Sequence, residues 1–380
     1  STMQLKAPFT FAFAAPNLLT TSYRNLSSPV TSRFLHRSSS FTLSITKLFS
    51  TVTGDSNQDH DDDGRFLGAE KKKPSTVMDY VNSIRPVTLL QAVGGFWIGY
   101  LILRKTSPSV PPPNNIIQMT PLTSIAISLS IFLSYGCGMV LNDLKDRTLD
   151  ASDSTNVKAQ RPIAAGRITP QAGWIYAGGL SLTSLLLSVS CNSSCSQSLF
   201  WWTASNLLVM VGYAIGGWQN ILLLKNLLCG WLAISPLVGA SLWYHNNNNK
   251  AAAPWCYLPK TLQPFATAGF AAHVAREIVK DMEDVTLDAR GPKTTLPMVL
   301  GMQWSQRLAY GIVFGTYAKL IGSPSYWNLM GAKSSYAVGL ACGVVMCLRA
   351  SRMERIEDGQ RLLKKSIFVL LAGMIGGLWI

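Results

Sequence analysis

Long apolar runs, nearly free of charge, alternate with short polar loops from residue 86 to the end of the chain. Nine runs stand out, at roughly 86–103, 121–141, 171–190, 199–217, 227–244, 263–275, 305–321, 335–348 and 366–380. A helix needs about 20 residues, at about 1.5 Å of rise each, to cross a bilayer. The sixth and eighth runs therefore need flanking residues to reach across. Small residues recur inside the runs (Gly94, Gly95 and Gly99; Gly136 and Gly138; Gly376 and Gly377), where they let helices approach closely. Trp201, Trp202, Trp243, Trp255 and Trp327 fall near run ends, the position of interfacial anchors. The pattern predicts an all-α, polytopic membrane protein.

Composition agrees. The 380 residues are 48% hydrophobic and only 14% charged, with mean hydropathy +0.21, against about a quarter charged in soluble domains. The seven cysteines form no CxxC pair, so no zinc or redox signature is present. Residues 1–54 contain no Asp or Glu and are rich in Ser and Thr, with scattered Lys and Arg. That is the composition of an organellar transit peptide, with plastid favoured over mitochondrion by the many hydroxyls and few arginines. Residues 55–79, with Asp59-His60-Asp61-Asp62-Asp63, read as a solvated linker, leaving 80–380 as the transmembrane domain.

The net charge of +14 raises nucleic acid as a partner. Basic and aromatic residues do not interleave, however, and the basic ones follow membrane topology instead. With the linker placed on side one, the loops and run ends of that side hold 21 Lys and Arg from residue 71 onward, against six on side two. This positive-inside bias fixes the orientation. Every acidic residue from Asp79 onward also lies on side one, so a shift of one run would destroy both regularities. A transporter would place ionisable groups along a path within its helices. Here the charges stop at the side-one ends.

Two of the acidic patches form a pair. One is Asn142-Asp143-Leu-Lys-Asp146-Arg-Thr-Leu-Asp150, with Asp153 behind it. The other runs Arg276-Glu277-Ile-Val-Lys280-Asp281-Met-Glu283-Asp284-Val-Thr-Leu-Asp288. Asn142, Asp146 and Asp150 share a face if the second run continues as a helix, and Asp284 and Asp288 have the same spacing, with Asp281 one turn earlier. Mg2+ takes hard oxygen ligands, usually one or two carboxylates together with phosphate oxygens. Two opposed carboxylate rows on one membrane face suit metal ions that neutralise a departing diphosphate. Lys158, Arg161, Arg167, Arg290 and Lys293 lie in the adjoining loops, where cations can stabilise the same charge. Asp143, Asp153, Glu277 and Glu283 fall off these rows and rank second.

At these residues the chain resembles the UbiA superfamily of intramembrane prenyltransferases, over about residues 80–380. Asn142, Asp146 and Asp150 meet its NxxxDxxxD motif, and Asp284 and Asp288 its DxxxD motif. Arg85-Pro86, the RPI-x-x-GRI loop from Arg161 to Ile168 and TLPxxLG from Thr295 to Gly301 match as well. The resemblance implies nine transmembrane helices around a central cavity. It also implies Mg2+-dependent transfer of a polyprenyl group from prenyl diphosphate to a hydrophobic or phenolic acceptor. In that reading Asp146, Asp150, Asp284 and Asp288 are catalytic, and with Asn142 and Asp281 they hold metal. Arg85, Lys158, Arg161, Arg276, Lys280 and Lys293 attend the diphosphate, with Asn142, Tyr213 and Lys225 as further substrate contacts. Many relatives carry a Lys about six residues after the Tyr; here that position is Gln219, and the nearest lysine is Lys225. The motif context is similar both to archaeal-type glycerol-lipid prenyltransferases and to the homogentisate and chlorophyll branch of plastids. Alternatives within the superfamily are a terpene cyclase without an acceptor and a non-aromatic lipid acceptor. A plastid membrane is the expected location, with the mitochondrial inner membrane as the alternative.

Overall fold

The computed structural model describes residues 74–106, 120–153, 157–191, 196–247, 258–329, 334–353 and 355–379. The transit peptide expected over residues 1–54, most of the linker and Trp255 lie outside these residues. The described elements are helices: α1 (Val77–Ile84), α2 (Pro86–Thr106), α3 (Pro121–Ala151), α4 (Pro170–Ser190), α5 (Ser196–Ala214), α6 (Leu224–Asn247) and α7 (Gln263–Glu283). There follow α8 (Val285–Asp288), α9 (Leu296–Leu300), α10 (Met302–Gly322), α11 (Pro324–Leu329), α12 (Ser334–Ser351) and α13 (Ile356–Trp379).

Nine of these helices, among the described residues, have 18 residues or more, one for each apolar run. Four of them, α2, α3, α4 and the Leu224–His245 part of α6, are long and apolar enough to cross a membrane by length and composition. The helices outrun the apolar pattern at their side-one ends. α3 continues ten residues past run two, α7 eight residues past run six, and α13 begins ten residues before run nine. Backbone hydrogen bonding extends a helix regardless of polarity, and these extensions carry the charged residues out of the apolar layer. α1, just ahead of α2, starts at a capping box: Thr76 Oγ1 accepts from the Asp79 N–H at 3.3 Å, and the Asp79 carboxylate accepts from the Thr76 N–H at 3.0 Å.

α3 packs on α4 and α5, α2 on α6, α7 on α10 and α13, and α12 on α13; the α6–α7 pair joins the two halves. One apolar core gathers Leu89, Phe96, Ile131, Val140 and Trp202 from the first half. A second gathers Ile278, Ala309, Leu320, Tyr336 and Leu363. Outward-facing Val87, Leu90, Ile125, Ile175 and Leu182 are exposed, as side chains turned to lipid would be. At the α12–α13 crossing the backbones touch: a Cβ on Gly373 would lie 2.6 Å from the Gly339 Cα. Only glycine on both helices permits that approach.

Some polar groups at mid-helix depth are matched in pairs. Ser130 and Ser184 each donate to the other's carbonyl, at 2.9 and 2.8 Å, tying α3 to α4. Two of the tryptophans expected as interfacial anchors are internal instead. Trp243 is buried, and the Trp202 indole donates to Ser235 at 3.0 Å. An indole with an internal hydrogen-bond partner gains nothing from the headgroup layer. Pro236 within α6 cannot supply the N–H that the Leu232 carbonyl would receive. The Tyr135 hydroxyl of α3 donates to that carbonyl at 2.6 Å in its place. Tyr135→Phe should therefore orphan a buried carbonyl and cost about 1–3 kcal/mol, read as a lower melting temperature in detergent. An unchanged melting temperature would contradict this account of the Leu232 carbonyl.

Candidate active site

The local sequence sets the site's frame. Proline at 86 and Arg85 in the left-handed region (φ 55°) separate α1 from α2. Such a backbone costs on the order of 1 kcal/mol for a non-glycine residue, so the surroundings must hold it. Arg85 is held by a charge-assisted bond from its guanidinium to Asp143 on α3. Between α3 and α4, Gly166 (φ 70°) turns the chain so that the Arg167 and Ile168 N–H groups reach the Pro162 carbonyl, at 2.9 and 3.1 Å. Arg161 then faces α3: its Nη1 lies 2.6 Å from Asp150 Oδ2 and 3.3 Å from Asp143 Oδ1.

The second patch is built the same way. α7 breaks briefly at Asp284, yet the Asp288 N–H still bonds the Asp284 carbonyl at 2.8 Å, so the row continues into α8. Asp281, 1% exposed, receives Lys225 Nζ on one oxygen and Asn226 Nδ2 at 3.1 Å on the other. Two lysines cross between the patches. Lys293 Nζ stands 2.9 Å from Asp146 Oδ2 and 3.9 Å from Asp288 Oδ1. Lys158 Nζ stands 2.6 Å from Asp284 Oδ1, while its backbone N–H bonds Asp153. The two rows thus line one basin. Beside Asp146 and Lys293 a cleft of about 330 Å3 opens, with Lys145, Gln219 and Arg290 on its walls.

Not every expected residue joins the basin. Arg276 and Lys280 are about one-third exposed and turn to Glu277, at 2.8 and 4.0 Å, rather than to the Asp rows. All three lie within one turn of α7, which makes that pairing the short one. Tyr213 on α5 stands with the Cys229 thiol, 3.9 Å away, and within reach of the charges of Glu277 and Asp146. Asn142 is half-buried on the Asp146 face of α3. Gln219, six residues after Tyr213, is 2% exposed and donates to Asp146 Oδ1 at 3.4 Å.

The all-helical fold agrees with comparisons to known proteins. Residues 93–372 match the UbiA prenyltransferase family. The chain belongs to that family. A digeranylgeranylglyceryl phosphate synthase of Methanothermobacter thermautotrophicus is 30% identical over 277 residues, 72% of this chain and 84% of that protein. A solved digeranylgeranylglyceryl phosphate synthase superposes with a TM-score of 0.56 at 21% identity, covering 79% of this chain and 98% of the other. A UbiA homologue of Archaeoglobus fulgidus, bound to GPP and Mg2+, gives 0.50 at 14% identity, covering 78% and 99%. This UbiA chain is an integral membrane prenyltransferase that takes its prenyl group from a prenyl diphosphate.

The donor set can be weighed against the metal of that homologue. Among the described residues no three acidic, histidine or cysteine side chains stand close enough to hold an ion unaided. Mg2+ needs no such cage when phosphate oxygens and water complete its octahedron. All the candidate donors are hard oxygens, and Asp288 Oδ2 is buried without a hydrogen-bond partner. Burial pushes the Asp288 carboxyl above its ordinary range; Lys225 and Lys293 pull it back, while Asp284 and Asp281 add to the rise. These features fit a divalent cation.

Asp143 and Glu277, off the two rows, are nonetheless buried and paired with cations. Asp143, 2% exposed, takes both Arg85 and Arg161; Glu277 is 6% exposed. A signal was present: 143, 146 and 150 are spaced by three and four, which shares a helical face as well as 142, 146 and 150 do. Arg167 has a different task from its neighbours. Its Nε holds Asp79 at 2.8 Å and its Nη2 the Gln160 carbonyl at 2.9 Å, fastening the α3–α4 loop to α1. The Thr76 N–H, and then Arg167, hold the Asp79 carboxyl below its ordinary value of 3.8. A carboxyl lowered on folding stabilises above its unfolded pKa and loses that contribution as pH falls through the folded one. Protease protection of residues 157–169 should be flat from about pH 8 to 5 and weaken only below about pH 4. Loss of protection near neutral pH would contradict this anchor.

Proposed function

We propose that the chain catalyses Mg2+-dependent transfer of a polyprenyl group from its diphosphate to a membrane-dissolved acceptor, in the basin between α3 and α7–α8. The observation that carries this reading is Lys293, which reaches Asp146 and Asp288 at once. It makes the two carboxylate rows walls of one site. In this reading Asn142, Asp146, Asp150, Asp284 and Asp288 would hold Mg2+, which neutralises the diphosphate as it leaves. Asp281, with both oxygens engaged, would orient Lys225 towards the basin. Lys158, Arg161 and Lys293 would exchange carboxylate partners for phosphate oxygens as substrate arrives, with Arg85 held behind them by Asp143. The apolar walls would keep water from the allylic cation.

The names of the relatives support an acceptor bearing glyceryl phosphate, and geranylgeranylglyceryl phosphate is the first to test. A phenolic acceptor is the second reading, favoured by the acid-free, Ser- and Thr-rich leader over residues 1–54 and the plastid location it suggests. Purified full-length protein supplied with geranylgeranyl diphosphate, Mg2+ and each acceptor should form a prenylated product with one of them. Prenyl hydrocarbons or alcohols alone, whatever the acceptor, would refute transfer and favour cyclisation or hydrolysis. A fluorescent fusion to residues 1–79 should label plastids in leaf protoplasts; mitochondrial labelling would overturn that location.

A further inference from the structure

One buried carboxylate has no part in the diphosphate basin. Glu277, 6% exposed, is the acidic residue of α7 farthest from side one, four residues or about 6 Å below Asp281. Its Oε1 accepts from Arg276 Nη1 at 2.8 Å. The Oε2 contact with Lys280 Nζ is 4.0 Å, too long for a hydrogen bond. The two cations lie at its outer edge, one-third exposed, while Tyr213 of α5, and Cys229 and Lys225 of α6, are within electrostatic reach from the interior. His273 is the further titratable neighbour on its own helix. A carboxylate is costly at such depth unless cations keep it ionised. Here Arg276 does so through a hydrogen bond to Oε1, while Oε2 has only the longer ion pair with Lys280.

We propose that Glu277 is the general base of the transfer, taking the proton from the acceptor. The inference rests on the prenyl-transfer reading above and holds for either acceptor. The bond from C1 of the prenyl chain to the diphosphate oxygen breaks, and its electron pair leaves with the diphosphate. The acceptor oxygen forms the new bond to C1, and its proton passes to Glu277 Oε2; for attack by a phenol carbon, the proton leaves that ring carbon instead. The position one turn below the diphosphate-facing carboxylates suits this task, since the acceptor must approach C1 from the side away from the leaving group.

The test uses full-length protein with geranylgeranyl diphosphate and the acceptor that the wild type prenylates, following acceptor product and released diphosphate separately. Glu277→Gln should lose acceptor product by at least about 100-fold, with the KM for geranylgeranyl diphosphate changed less than about threefold. Diphosphate release should persist, uncoupled, as prenyl alcohol. Glu277→Asp, which keeps the carboxylate, should recover most of that loss. Full transfer by Glu277→Gln would assign the proton to the departing diphosphate and overturn the proposal. Parallel loss of transfer and diphosphate release in both variants would make Glu277 structural and overturn it equally. A wild type inert toward every acceptor would instead overturn the proposed function, and the base with it.

Discussion

Asp146→Ala should reduce prenyl transfer by about 1,000-fold or more while the protein remains folded. Its two oxygens are met by Lys293 at 2.9 Å and Gln219 at 3.4 Å, and it lies where the two carboxylate rows come closest through a shared lysine. Removing one preorganised group that acts on developing charge commonly costs about 100- to 1,000-fold. A residue that also helps to hold Mg2+ should lie at or beyond the upper end. The loss should fall on kcat/KM for the diphosphate and should persist at saturating Mg2+. Some stability should be lost too, because Lys293 keeps only its 3.9 Å contact with Asp288, although the helix stays anchored by Asp143 and Asp150. Near-normal activity would remove Asp146 from the site.

Lys293→Met should destabilise the apo protein strongly. Lys293 is 9% exposed and balances the buried Asp288 and the part-buried Asp146, from different helices. Breaking a buried ion pair by removing one partner typically costs about 3–5 kcal/mol, because the remaining charge is left uncompensated. The loss should appear as a lower melting temperature in detergent with chelator, and Mg2+ should restore part of it by supplying positive charge to the same carboxylates. Lys280→Met is the control. Its side chain is 38% exposed and 4.0 Å from its partner, so its effect on stability should be within about 0.5 kcal/mol. Equal stability of the Lys293 and Lys280 variants, unaffected by Mg2+, would contradict the bridging role.

The nine runs and the facing of both acidic patches were legible in the chain, because lipid burial leaves a long, unambiguous hydropathy trace. What was not legible follows from physics that hydropathy ignores. The first ten residues of α13, Ile356 to Lys365, include Asp358, Arg361, Lys364 and Lys365, yet they are helical. α1 was signalled by its Thr76–Asp79 capping box rather than by length. Asp143 was ranked low because only the 142/146/150 row was read, although 143, 146 and 150 share a face equally well, and Glu277 because it lies outside the matched motif. Arg276 and Lys280 were expected at the diphosphate from the family resemblance. Their turn toward Glu277 depends on side-chain direction, which proximity in sequence does not settle. Trp202 shows the same limit, since nearness to a run end does not decide between a lipid headgroup and a serine on the next helix.

The central claim is that the two acidic rows form one Mg2+–diphosphate site, and a double-mutant cycle across them tests it most directly. Transfer rates would be measured for Asp146→Asn, Asp288→Asn and the double variant under saturating acceptor. Residues serving one metal-bound diphosphate act as a unit, so the double variant should be no more than about tenfold slower than the worse single one. A double variant whose loss equals the full product of the two single losses would mean that the rows act independently, and would contradict the single-site account.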